Sequence, residues 1–213
     1  MARSFPKIYP ILDSSIIPAI RRKEFLRRLG ESLLGADVAM LEYRNKTGSE
    51  DEVKSDAEVL RSALPVGKVK LILDDRADLV EAVGFDGVHV DAGDVSPVEA
   101  RRLLGPDRIV GTFGGGDALV ADILSAPVDY LSVGPVFATR TKQTTKGPIG
   151  IEGVRRLRGA AGPGPVLVGV AGITLDTAAG VLNAGADVIA VAEALFGHAD
   201  PAAEYLKWVA ALN

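Results

Sequence analysis

Cysteine is absent from this 213-residue chain, which excludes disulfides, thiolate metal sites and a cysteine nucleophile while leaving the redox compartment open. A long apolar run is missing too. No stretch approaches the ~18 residues of a membrane span, so no membrane partner is expected. The opening residues, with Arg3 and Pro6, have no long apolar core and are not read as a signal peptide; a cytoplasmic location is the default expectation. The chain also lacks a basic surplus. Lys and Arg number 24 against 28 Asp and Glu, a formal net charge of −4, which argues against wholesale nucleic-acid binding. Local basic clusters in such an acidic chain point instead to a small anionic ligand.

What is present is the composition of a globular protein, 47% apolar and 24% charged with few aromatics. The length suits one well-buried core. Short apolar, β-branched runs recur at 8–12, 38–42, 69–73, 87–90, 109–112, 130–133, 166–170 and 188–191. Between and after them, apolar spacings of three and four predict helices over 22–34, 50–63, 76–83, 97–104, 117–125, 151–158, 175–183 and 201–212. Ser96 before Pro97 marks one helix start and Thr174 another. Eight such alternations, with strands apolar enough to be buried on both faces, predict a parallel sheet closed as a (β/α)8 TIM barrel. No linker or composition shift divides the chain, so 1–213 is read as one domain.

In that architecture the site lies where strands end and loops begin. After strand two, Glu42, Arg44 and Lys46 share one face of an extended segment. Asp74 and Asp75 follow strand three, and Asp91 and Asp94 follow strand four. After strand six, a loop offers Thr139, Arg140, Thr141 and Lys142. Two acidic strand ends beside two basic ones read as a magnesium and diphosphate site, because magnesium takes one or two carboxylates and completes its shell with water and phosphate oxygens. Asp74 and Asp94 are the expected ligands; Arg44, Lys46 and Lys142 would hold phosphate oxygens. Asp75 is equally suited to capping the following helix. The turn at 169–174 and residues 192–196 fit a monophosphate held by backbone N–H groups. His89, between Val88 and Val90, reads as a structural strand residue, and His198 in a late loop has no assigned role.

These residues resemble the thiamine-phosphate synthase family nearly end to end. The resemblance is carried by Tyr43-Arg44-Asn45-Lys46, Asp74-Asp75, Gly87-Val88-His89-Val90 with Asp94, Gly134-Pro135-Val136-Phe137, Thr139-Arg140-Thr141-Lys142, Gly169-Val170-Ala171-Gly172-Ile173 and Ala184-Gly185-Ala186-Asp187. It implies a transferase of (β/α)8 fold that joins hydroxymethylpyrimidine diphosphate to a thiazole monophosphate and releases pyrophosphate with the help of Mg2+. It implies that Arg44, Lys46 and Lys142 serve the diphosphate, Asp74 and Asp94 the metal, and Thr139 and Thr141 the thiazole phosphate. A homo-oligomer is compatible with it. Five positions depart from the family pattern. Glu42 stands for a Gln at the pyrimidine site, Leu73 for an Asn, and Phe113-Gly114-Gly115-Gly116 for a rim like Ser-x-His. Ala171 stands for a Gly and Glu193 for a Ser after strand eight, where Ala192 also lies. An ionised Glu42 could accept a hydrogen bond from a ring amino group but could not donate one. The competing readings are a non-catalytic phosphate-binding barrel, which the Leu73, Phe113 and Glu193 changes favour, and a thiazole tautomerase, for which Gly114–Gly116 supply no histidine.

Overall fold

Eight parallel strands close on themselves in sequence order, each paired with its neighbours and β8 with β1, in a computed structural model describing residues 4–91, 93–115, 121–139 and 147–212. The strands are β1 (Ile8–Asp13), β2 (Met40–Arg44), β3 (Lys70–Asp74), β4 (Gly87–Val90), β5 (Ile109–Gly115), β6 (Tyr130–Val133), β7 (Val166–Val170) and β8 (Val188–Val191). The helices are α1 (Arg22–Gly35), α2 (Glu50–Ala63), α3 (Val80–Val83), α4 (Pro97–Leu104), α5 (Ala121–Leu124), α6 (Gly150–Ala161), α7 (Leu175–Asn183), α8 (Glu193–Phe196) and α9 (Pro201–Leu212). None of the described helices is long and apolar enough to cross a membrane. The expected TIM barrel is therefore the observed fold.

Strand period two divides the core. Leu41, Tyr43, Leu71, Leu73, Val88 and Val90 join helix residues such as Leu26, Leu60 and Val80 in the large outer apolar layer. Tyr9, Met40, Ile72, Ile109, Tyr130, Val168, Val188 and Ala190 fill the barrel interior. Room for the Tyr130 ring comes from Gly111, where a Cβ would lie 1.9 Å from Tyr130 Cζ.

Several boundaries differ from the sequence reading. β2 begins at Met40 rather than Val38, because the Val38 N–H is engaged by Leu33 O at the end of α1. β2 also runs on to Arg44, which places that side chain on a strand and not in a loop. The segment expected as one helix over 76–83 is a 3-10 turn at Ala77–Leu79 followed by the single turn of α3, closed by Gly84 in the left-handed region (φ 67°). α8, with four residues, is too short to show a helical period in sequence. Of the helix expected over 117–125, residues 117–120 lie outside the described residues, as do Gly116, Arg140, Thr141, Lys142 and Lys146. The Ser96 cap is observed, its hydroxyl accepting from Glu99 N at 3.1 Å.

A repeated clasp fastens the N-terminal end of the barrel. Asp86, Asp129 and Asp187 each precede a strand and accept from the backbone N–H of Leu71, Val110 and Leu167, at 2.8, 2.9 and 2.8 Å. The same three carboxylates pair with Arg61, Arg101 and Arg158, one from each of α2, α4 and α6. Each arginine also donates to two carbonyls of its own helix-to-strand loop, as Arg101 Nη1 does to Gly105 O and Arg108 O.

Candidate active site

The C-terminal end of the barrel opens into a cavity of about 550 Å3. Inward-facing strand residues form its walls: Ile11, Asp13, Glu42, Arg44, Asp74 and His89 on the first four strands, then Phe113, Ser132, Val170 and Ala190. Thr139, Ala171, Gly172, Ala192 and Glu193 complete its rim.

One side of the mouth carries a row of alternating charges. Asp13 and Arg44 end β1 and β2 in register and are ion-paired. Arg44 Nε lies 3.4 Å from Asp74 Oδ2, which is also 3.1 Å from Lys46 Nζ, and Lys46 pairs in turn with Asp75. Local structure fixes these positions. Asn45 donates to Tyr43 Oη (3.0 Å) and Glu52 Oε1 (2.8 Å) and accepts from Gly48 N (2.8 Å), which sets the loop that carries Lys46. Tyr43 Oη itself donates to Asp56, which Arg22 holds from the other side. Asp75 has a left-handed backbone (φ 66°) and donates its N–H to His89 O at 2.8 Å; it forms no helix cap.

The electrostatics follow from this crowding. Burial works to raise the Asp13 pKa, but the Ser15 hydrogen bonds and Arg44 outweigh it and hold the group below the ordinary value. Burial likewise opposes charge on Lys46, yet Asp74 and Asp75 keep its pKa raised. Burial, contact with Asp94 and the charge of Asp74 push Asp75 up to about 6 against the pull of Lys46. Asp74 Oδ2 and Asp75 Oδ1 are buried without a well-directed hydrogen bond. Hard oxygen donors crowded together and short of donors suit a hard dication, and the carboxylates of Asp74, Asp75 and Asp94 are the residues that could hold it. Among the described residues, however, no group of three or more such side chains is arranged as a ready metal cage.

Beneath the rim lies a polar floor. Tyr9 Oη donates to Glu42 Oε2 (2.7 Å) and meets Tyr130 Oη (3.1 Å), which contacts His89 Nδ1 (3.1 Å). His89 Nε2 is 3.7 Å from Asp91 Oδ1. Burial, with Asp74 adding to it, raises the Glu42 pKa to about 7 despite the opposing pull of His89 and Tyr9. Burial disfavours the His89 imidazolium, but Asp91, Glu42 and Asp74 overcome it and raise its pKa. Tyr9 and Tyr130 are raised well above the usual phenol value, by burial first and then by Glu42.

The structure brings together most of the residues singled out in sequence and displaces three. Glu42, Arg44, Asp74, Phe113, Thr139, Ala171, Ala192 and Glu193 all line the cavity. Leu73 does not. It lies one residue from Asp74, so it faces the helices and packs in the outer apolar layer. Asp94 is exposed and off the cavity wall, its carboxylate accepting from Asp91 N at 2.8 Å; Asp91 is the wall residue of that loop. Lys46 lies past the strand end and reaches the site only through Asp74 and Asp75. Thr141 and Lys142 lie outside the described residues. His89 is a buried strand residue, as its pattern suggested, and it also lines the cavity. The sequence reading missed Tyr9, Asp13, Tyr130 and Ser132. The available signal was parity, since Tyr9 and Ile11, like Tyr130 and Ser132, share a face, and polar groups on the inward face of a barrel strand have only the site to meet.

Two backbone features shape the rim between β6 and β7. Phe137 N donates to Ala171 O at 3.1 Å. A Cβ on Gly172 (φ 70°) would lie 2.6 Å from Ala138 O, so only glycine fits that approach. Ala171 holds a left-handed conformation (φ 70°) without being glycine.

Comparison with known proteins agrees with this geometry. Residues 8–195 match the family model for thiamine monophosphate synthase. The chain is 38% identical over 203 residues to a thiamine-phosphate synthase of Koribacter versatilis, covering 95% of each chain. It is 38% identical over 197 residues to one from Agrobacterium fabrum, covering 91% of this chain and 88% of the relative. A thiamine phosphate pyrophosphorylase from Pyrococcus furiosus superposes with a TM-score of 0.80 at 25% identity, over 97% of this chain and 95% of that one. The barrel, the charged rim and these matches converge: the chain belongs to the thiamine monophosphate synthase family.

Proposed function

We propose that this protein is a thiamine-phosphate synthase, a transferase that joins hydroxymethylpyrimidine diphosphate to thiazole monophosphate and releases pyrophosphate. The observation that carries the reading is the row Asp13–Arg44–Asp74–Lys46–Asp75 set at the mouth of the cavity, in a chain 38% identical to synthases over most of its length. About 550 Å3 is within the range of small-molecule sites.

The chemistry asked of the protein is departure of a diphosphate. The CH2–O bond breaks with its electrons leaving on pyrophosphate, and the thiazole nitrogen lone pair forms the new C–N bond. Such a step needs charge stabilisation on the leaving group more than a general base. Arg44 is oriented for this: Nη1 is held by Asp13 and Nε faces Asp74, so Nη2, which makes no hydrogen bond to a described residue, is left for a phosphate oxygen. Lys46 adds a second cation, and Lys142 is proposed as a third. Ile11, Phe113 and Val170 supply apolar wall that keeps water from the cationic CH2 carbon. Magnesium, proposed at Asp74 and Asp94 with Asp75 beside them, would neutralise part of the diphosphate charge when bound. Thr139, and with it Thr141, is proposed for the thiazole phosphate, whose other neighbours would be the backbone at Gly172 and Ala192. The proposed setting is the cytoplasm, with small molecules as the partners, and association into a homo-oligomer is compatible with the fold.

A second reading, a non-catalytic phosphate-binding barrel, draws on one observation. Arg44 and Lys46 are already matched by Asp13, Asp74 and Asp75, and Glu193 places another carboxylate on the rim. The deciding experiment mixes purified protein with both phosphorylated substrates and magnesium and measures thiamine phosphate and pyrophosphate. Product is the expected result, with most of the rate lost in Lys142→Ala. Tight thiazole-phosphate binding without turnover would select the second reading.

A further inference from the structure

Where β2 ends, alternate residues have different tasks. Arg44 and Lys46 meet the charged row at the cavity mouth, while Tyr43 and Asn45 turn toward α1 and α2. Tyr43 is fully buried, and its hydroxyl donates to Asp56 of α2, a carboxylate only 1% exposed. Burial, and then Asp56, raise the Tyr43 pKa above the ordinary phenol value, so the hydroxyl keeps its proton. With that proton committed to Asp56, the phenolic oxygen is left to accept, and it takes an N–H of the Asn45 amide at 3.0 Å. Glu52 Oε1 accepts from the same amide nitrogen at 2.8 Å. The Asn45 oxygen is thereby turned to the loop, where it accepts from Gly48 N (2.8 Å) and Thr47 N (3.3 Å). Arg22 of α1 holds both carboxylates, reaching Asp56 Oδ2 at 2.6 Å and Glu52 Oε1 at 3.2 Å. A Cβ on Gly48 would lie 2.4 Å from Asn45 Nδ2, so bare backbone lets the amide close on the turn.

We propose that Asp56, buried outside the barrel, is a positioning residue for the cations of the site, fixing through Tyr43 and Asn45 the direction in which the chain carries Lys46 off the end of β2. The inference rests on the synthase reading for the role of Lys46 at the diphosphate, and it adds the buried device that aims it. A lysine is a point charge on a flexible stem, so where it can stand depends on how its backbone is held. On the cavity side Lys46 meets only the Asp74 and Asp75 carboxylates among the described residues. Those attract the ammonium without ordering the main chain. The amide, phenol and carboxylate behind the rim do order it, and one charge sets the sense of all three. An ionised carboxylate only accepts, whereas an asparagine at position 56 could turn either its oxygen or its NH2 to Tyr43. The directed chain would then lose its fixed sense, and a displacement of about 1 Å at a reacting group can cost roughly 100-fold in rate.

The test is a double-mutant cycle on kcat/KM for the pyrimidine diphosphate, per folded molecule, with thiazole monophosphate and magnesium saturating. Tyr43→Phe keeps the ring in the apolar layer and removes only the link; it is expected to lose roughly tenfold. Asp56→Asn should lose as much or more. In a Lys46→Ala background the same substitutions should cost about twofold or less, because no ammonium is left to aim. An equal fold-loss in both backgrounds overturns the proposal, since a merely structural role would multiply through. Full kcat/KM in Tyr43→Phe overturns it too, as does a KM for thiazole monophosphate that rises as far as the KM for the diphosphate. Should Asp56→Asn not fold, the Tyr43→Phe cycle decides alone. If wild type releases no pyrophosphate, the synthase reading fails by itself. Calorimetric titration with inorganic pyrophosphate and magnesium then decides the inference through the same cycle. Tyr43→Phe should weaken binding only where Lys46 is present, and no binding, or an equal loss in both backgrounds, overturns it.

Discussion

The two ends of this barrel use the same residue types to opposite effect. At the N-terminal end Asp86, Asp129 and Asp187 each take a strand N–H and an arginine, and each arginine closes its own loop as well. Each carboxylate there has directed partners, Arg61 Nε alone of the clasp atoms being buried without one, and the arrangement repeats three times around the ring. At the C-terminal end Asp13, Arg44, Asp74, Lys46 and Asp75 form a single unrepeated row in which Asp74 Oδ2 and Asp75 Oδ1 are buried without a directed hydrogen bond. Satisfied pairs hold strands together; under-satisfied ones are available to a ligand. The contrast separates charges that serve the fold from charges that serve the site.

The largest test of that division is a pair of substitutions read two ways. Asp74→Asn is expected to lower kcat/KM for thiamine phosphate formation by roughly 100-fold or more while leaving the urea midpoint unchanged or raised. Arg101→Ala should do the reverse. It removes donors to Gly105 O, Arg108 O, Pro127 O and Asp129, and a loss of about 2–3 kcal/mol in unfolding free energy is expected with unaltered rate per folded molecule. Equal effects of both on stability would erase the distinction between the two ends.

A smaller effect comes from the floor. Glu42 titrates near 7 in the folded protein and near 4.5 when unfolded, so the folded state binds the extra proton between those values. Its contribution to stability is full below about 4.5 and declines as pH rises toward 7. Denaturation of wild type and Glu42→Gln across about pH 5.5 to 8 should show wild type losing up to about 2 kcal/mol relative to the variant. A pH-independent difference would mean that Glu42 is already ionised at the lower pH. His89 is also raised, in part by the Glu42 charge, so the variant loses that part of the His89 contribution together with that of Glu42.

The smallest expected effect lies at the rim. Ala171 holds φ 70°, a conformation that costs an L-residue about 1–2 kcal/mol. Ala171→Gly should recover about 1 kcal/mol or less, because glycine also gains freedom in the unfolded chain. Thermal melting checks this, and destabilisation would show that the Ala171 methyl packs favourably against the cavity.

Much of the architecture was legible before the fold. The spacing of β-branched runs and helical periods placed all eight strands and the helices of two or more turns between them, because burial imposes those periods on sequence. Arg44, Asp74, Thr139 and Glu193 were found by their place at strand ends. Leu73 was misplaced for a reason of geometry. One residue of strand parity sends Leu73 to the helices and Asp74 to the cavity. A turn after β4 leaves Asp91, rather than Asp94, on the wall. α8 escaped notice because one helical turn has no period to detect.

By itself, then, the sequence determined the order of elements, the closed parallel barrel and the charged rim, since alternating patterns and strand-end residues are local properties. Only the tertiary structure decided the floor. Tyr9, Glu42, His89 and Tyr130 are far apart in the chain, and nothing local to any of them announces the others. Closing the sheet brings four strands to one axis, and the shared interior then compels their polar groups to satisfy one another.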